Sequence, residues 1–164
     1  MVAIGLGLLG PNRRTHVPSY LFVGMLRLRL LDIERRPRTF VVFVVDLFAI
    51  LVVIGWGLTT HAVDPLGQPD HLLKTAAPFL VGWCIASPTV GAYSKGSLRN
   101  PIQAVGATAV AWMLGVLIGG MIRATGWLPG GAPLVFLLVL VAAGLLLLLP
   151  VRVLGIVVRR KMNL

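Results

Sequence analysis

The sequence predicts an all-α integral membrane protein, a bundle of four transmembrane helices preceded by an amphipathic interfacial helix. Three observations lead there. Of the 164 residues, 57% are hydrophobic and only 12% are charged, with a mean hydropathy of +0.93; a soluble domain carries roughly 45–50% apolar and 25% charged residues. Four apolar segments approach the roughly 20 residues a helix needs to cross a bilayer. The basic residues then fall almost entirely on one side of those segments.

The first 39 residues read as a basic cytoplasmic or interfacial segment. The opening MVAIGLGLLG lacks the positive flank and cleavage site of a secretory signal, so it is read as mature protein, with Met25 as an alternative start. Within PSYLFVGMLRLRLLDIERR (18–36), Phe22, Leu26, Leu30 and Ile33 share a helical face, with Arg27, Asp32, Arg35 and Arg36 mostly opposite. That pattern suits a helix in the headgroup layer, although Leu28 and Leu31 fall on the charged side.

The transmembrane domain is expected over residues 40–152, with spans at about 40–60, 72–91, 102–122 and 133–149, the fourth continuing weakly through VRVLGIVV (151–158), and a basic cytoplasmic tail at 153–164. Four spans put Arg13, Arg14, Arg27, Arg29, Arg35, Arg36, Arg38, Lys95, Arg99, Arg152, Arg159, Arg160 and Lys161 on one side, leaving Lys74 and Arg123 on the other. The positive-inside rule therefore places both termini in the cytoplasm, and the predicted location is the plasma membrane of a prokaryote. The net charge of +10 is accounted for by this asymmetry, not by nucleic acid. Membrane lipids, including anionic lipid at the cytoplasmic face, and other membrane-protein subunits are the expected partners.

The first span holds one carboxylate, Asp46, inside VVFVVDLFAI (41–50). A bare aspartate at a helix centre costs about 2.5–3.5 kcal/mol on insertion scales, so it must face other helices. Ala49, Val53, Gly57 and Thr60 follow it on a small face, with Val44, Phe48, Leu51 and Leu58 opposite and suited to lipid. Its reachable partners are expected at the cytoplasmic ends of neighbouring spans: Tyr93, Lys95, Arg99 and Gln103. Two roles are open to it, a proton or cation site and a contact that fixes helix packing.

The second span carries Pro78 and Pro88, each of which removes a backbone donor and favours a kink, with Ser87 and Thr89 available to the freed carbonyls. In the third, Ala107, Ala111, Gly115 and Gly119 recur every four residues, a small-residue ridge that lets helices approach closely, here expected within the chain. Trp56 and Trp127 fall at the outer boundary as an aromatic belt. Trp83 and Trp112 lie near mid-membrane, where core packing is the simpler role and contact with a quinone or pigment the sharper one. No cofactor is otherwise implied.

On the outer side, His61, Asp64, Asp70, His71 and Arg123 form a polar cluster. The residue types suit a metal, but the spacing matches no established site, and none is predicted. Arg123 is expected to snorkel to headgroups or pair with Asp64 or Asp70. Hydrolase, phosphate-loop, zinc-protease and haem-attachment motifs are absent, so no enzyme is predicted. The one cysteine, Cys84, rules out an intramolecular disulfide.

The stretches DLFAILVVIGWGLTTH (46–61), TAAPFLVGW (75–83), GGMIR (119–123) and the region of Phe136 resemble a family of small prokaryotic membrane proteins catalogued as domain of unknown function 3054. The resemblance covers about residues 40–152 and implies a four-span fold. It points to Asp46, His61, Pro78, Phe79, Gly82 and Arg123, and implies no activity. The small-residue ridge, the basic cytoplasmic helix and the lack of catalytic motifs favour a non-catalytic accessory subunit of a larger membrane complex. The alternatives are a parallel homo-oligomeric transporter or channel using Asp46, and a membrane enzyme acting on lipid or isoprenoid.

Overall fold

The computed structural model describes residues 37–126 and 131–161. The expected interfacial helix before residue 37, and Trp127, lie outside the described residues. The described chain forms four helices: α1 (Pro37–Thr60), α2 (Pro69–Val90), α3 (Pro101–Ala124) and α4 (Leu134–Lys161). Three of them, α1, α3 and α4 as far as Val158, are long and apolar enough to cross a membrane. This composition is that of a membrane protein. With 22 residues, α2 rises about 33 Å but begins with the polar run Asp70, His71 and Lys74.

Local chemistry sets the helix ends. Pro69 and Pro101 occupy first turns, where a missing N–H costs nothing. Asn100 caps α3 by accepting from the Ile102 amide at 3.0 Å. Gly91 ends α2 in the left-handed region at φ 81°, letting the Ala92 amide turn back to the Ser87 carbonyl. The prolines do not break α2, which runs through both Pro78 and Pro88. The Thr89 hydroxyl bonds Ile85 and Ala86 carbonyls, whereas Ser87 Oγ is buried without a partner.

Each helix packs on its neighbours in the chain, and α1 closes the ring against α4; across the ring, Phe79 of α2 meets Phe136 of α4 with ring centres 5.9 Å apart. The tightest seam joins α2 to α3. There Gly82 lies directly on the Gly115 carbonyl, and Gly119 backs onto Phe79 and the Pro78 carbonyl. In α4, Gly144 makes room for the Trp112 indole. Ile50, Val53 and Ile54 of α1, Phe79 and Trp83 of α2, Trp112 and Val116 of α3, and Leu140 and Leu148 of α4 fill the centre.

Two expectations change here. The fourth helix does not weaken after Leu149 but runs unbroken through Pro150 to Lys161, so Arg152 lies within it and not on its flank. The buried stripe of α1 runs Asp46, Ile50, Ile54, Leu58, flanked by Ala49 and Val53. Gly57 and Thr60 are exposed, Leu58 is buried and Leu51 packs against the core. The buried stripe advances by steps of four and so drifts about 40° per step around a helix of 3.6 residues per turn, whereas the expected face, at mixed steps of three and four, stays in line with Asp46; the two part in the second half of α1. Near Asp46 it holds, with Val44 and Phe48 outward and Ala49 inward.

Candidate functional site

Asp46 is completely buried, and three donors converge on its carboxylate. Arg152 Nε donates to Oδ1 at 3.2 Å and Arg152 Nη2 to Oδ2 at 2.6 Å. The Tyr93 hydroxyl donates to Oδ2 at 2.7 Å. Behind it, Trp83 Nε1 donates to the Tyr93 oxygen at 3.0 Å, so the hydroxyl accepts on one side and donates on the other. The third arm of the guanidinium, Nη1, donates to the Ala92 carbonyl at 3.1 Å. Its carbon lies 4.8 Å from the centre of the Tyr93 ring, which Phe43 supports edge-on at 5.8 Å.

The fold assembles this cluster from distant parts. Asp46 comes from α1, Trp83 from α2, Tyr93 and Ala92 from the turn after Gly91, and Arg152 from α4. Both charged side chains are at most 3% exposed. Two buried charges are tolerated only with close, multiply bonded geometry, which the fork of arginine supplies. Tyr93 lies past the end of α2; burial and the neighbouring carboxylate push its hydroxyl well above the ordinary phenol range and keep it a donor.

Of the partners expected for Asp46, Tyr93 makes the contact. Lys95, Arg99 and Gln103 are exposed in the connector and at the start of α3. The cation at the carboxylate is Arg152, which the sequence reading assigned to the cytoplasmic flank. One signal pointed to it: Arg152 is followed by VLGIVV, so it interrupts an apolar run and does not end one. An arginine so placed needs an acid, and Asp46 is the acid available in the apolar segments.

At the opposite end of the ring, Arg123 is drawn inward and is 6% exposed, so it does not extend to headgroups as expected. Its Nε donates to the Gly131 carbonyl at 2.8 Å, and Nη1 approaches the Thr75 carbonyl at 3.5 Å. The guanidinium lies 6.0 Å from the Phe79 ring and 5.5 Å from that of Phe136. Two aromatic faces and backbone carbonyls hold the charge inside the protein. His61 and Asp64 in the α1–α2 connector and Asp70 and His71 in the first turn of α2 are exposed, and Asp64 Oδ1 accepts from the Leu66 amide. Among the described residues no three His, Cys, Asp or Glu side chains gather as a metal site would require.

The small ridge packs inside the chain: Ala111, Gly115 and Gly119 are buried, and Ala107 is partly so. Trp83 and Trp112 are fully buried with ring centres 6.2 Å apart, and Trp112 Nε1 donates to the Val141 carbonyl. Their faces are covered by protein, which leaves no open surface for a quinone or pigment to stack on. Of the residues the family resemblance indicates, Pro78, Phe79 and Gly82 form the α2 side of the tight seam, Asp46 is held in the buried polar cluster, Arg123 lies against Phe79 and Phe136, and His61 is exposed.

No curated protein and no solved structure matches the chain. A family model matches residues 43–155, a stretch that contains Asp46, Trp83, Tyr93, Arg123 and Arg152 and leaves out the basic N-terminal segment. By that match the chain belongs to DUF3054, a family of proteins of unknown function.

Proposed function

We propose that this chain is a four-span protein of a prokaryotic plasma membrane, with both termini cytoplasmic, serving as a non-catalytic structural subunit of a larger membrane assembly. One observation carries the reading: Asp46, the acid most suited to moving a proton, is fully engaged by donors. The arginine and tryptophan side chains only donate, and the Tyr93 proton already points at the carboxylate. A proton relay needs a group that accepts and then releases, and this chain of bonds ends at Trp83. The pair instead ties α1, the α2–α3 connector and α4 together. Large apolar side chains on the outer faces, among them Phe40, Phe48 and Trp56 of α1 and Met113, Leu117 and Met121 of α3, are available to lipid or to other subunits.

Enclosure of α2 between α1 and α3, its length of about 33 Å and the distribution of basic residues support the fourth span and the orientation. Purification of the tagged protein from native membranes in mild detergent, with mass spectrometry of the co-migrating chains, tests the role. Stoichiometric membrane-protein partners are expected. A pure homo-oligomer, or proton-coupled flux that Asp46→Asn abolishes while assembly survives, defeats the proposal.

A further inference from the structure

The Asp46–Arg152–Tyr93 cluster fixes which parts of the chain share one end of the molecule: the start of α1, the α2–α3 connector and the end of α4. Every exposed charged side chain described at that end is a cation: Arg38 on α1, Lys95 and Arg99 in the connector, and Lys161 on α4. Asp46, the acid described there, is buried and paired. The opposite end exposes Asp64 and Asp70 alongside Lys74.

Depth agrees with this partition. Arg38 precedes Asp46 by eight residues and Lys161 follows Arg152 by nine. At 1.5 Å per residue both lie about 12–14 Å beyond the buried pair along their helices. The two cations therefore stand at nearly one level, beyond an interior polar layer, with exposed Phe40, Val41, Val44, Leu154, Val157 and Val158 between. An apolar collar topped by cations of α1 and α4, with the two connector cations at the same end, is the arrangement that meets acyl chains and headgroup phosphates at once.

We infer that this end is a binding face for anionic lipid, its cations engaging the headgroup phosphates of one leaflet in preference to zwitterionic lipid. The inference rests on the chain spanning a membrane, and is independent of whether it serves as a subunit. Each cation near an anionic surface contributes about five-fold in association.

Native mass spectrometry of detergent-purified protein, titrated with phosphatidylglycerol or phosphatidylcholine, reads the preference directly. Wild type is expected to retain phosphatidylglycerol preferentially, with retention falling as ionic strength rises. The variant carrying Arg38→Gln, Lys95→Gln, Arg99→Gln and Lys161→Gln is expected to lose that preference by more than ten-fold, while Lys74→Gln keeps it. Millimolar inorganic phosphate should not displace the lipid; displacement would show a free-anion site and overturn the lipid face. Equal retention of the two lipids by wild type, a preference that survives in the four-site variant, or an equal loss in Lys74→Gln would also overturn it. Salt dependence of the wild type decides the matter without any variant: retention insensitive to salt refutes the electrostatic face.

Discussion

Replacing Arg152 with Met should be among the most damaging single changes in this chain. The substitution removes two of the three hydrogen bonds to the Asp46 carboxylate, the bond to the Ala92 carbonyl and the stack on Tyr93. What remains is a buried acid held by one tyrosine. Breaking a buried pair from one side costs about 3–5 kcal/mol. For a chain of this size each kcal/mol shifts the melting temperature by about 2–4 °C, so a fall of roughly 6–20 °C is expected. Removing both charges together, with Asp46→Leu and Arg152→Met, takes away the stranded acid and should recover most of the loss. Tyr93→Phe is intermediate, at about 1.5–3 kcal/mol, because it deletes one bond to a charged acceptor and leaves Trp83 Nε1 without its partner. The assay is thermal unfolding in mild detergent, followed by size-exclusion recovery. A melting temperature unchanged in Arg152→Met, or a double variant no better than its worse single, would refute the clasp.

Three further outcomes are expected. Gly82→Ala drives a methyl into the Gly115 carbonyl and should cost about 1–3 kcal/mol or more, whereas Gly106→Ala meets nothing and should raise stability by up to about 1 kcal/mol; unfolding of the two variants side by side checks this. Arg123→Lys keeps the charge but loses the planar group between Phe79 and Phe136, and should lower stability by about 1–3 kcal/mol in the same assay. With Cys84 replaced by Ala, single cysteines at Lys95 and Asp70 should label from opposite sides of sealed vesicles with an impermeant maleimide; labelling from one side would reject the four-span topology.

Much of the fold was legible because it follows from solvent and period. The apolar runs and their Gly, Pro and charged borders set the ends of α1, α2 and α3 to within three residues. The inward turn of Asp46 followed from the small residues beside it, and the Gly115–Gly119 ridge from its spacing. Arg152 was not read correctly because a basic residue three positions past an apolar run resembles a flank. The apolar VLGIVV that follows is the local sign of an interior arginine, and the continuation of α4 to Lys161 makes it one. Arg123 was misplaced for a related reason: two phenylalanines on different helices create its pocket, and no local pattern announces them. Pairings across helices depend on how the ring closes, which one-dimensional spacing does not encode.

The clasp joins residues 106 positions apart, and that separation has a temporal meaning. During synthesis α1 reaches the membrane long before α4 exists. At about 5–20 residues per second, Arg152 is made roughly 5–20 s after Asp46. Throughout that interval the first helix carries an acid without its partner, a burden of about 2.5–3.5 kcal/mol if it enters fully. The arriving arginine removes that burden and closes the ring in one event. A chain cut short before residue 152 keeps an unneutralised acid in its first helix, a defect that a membrane quality-control protease could recognise.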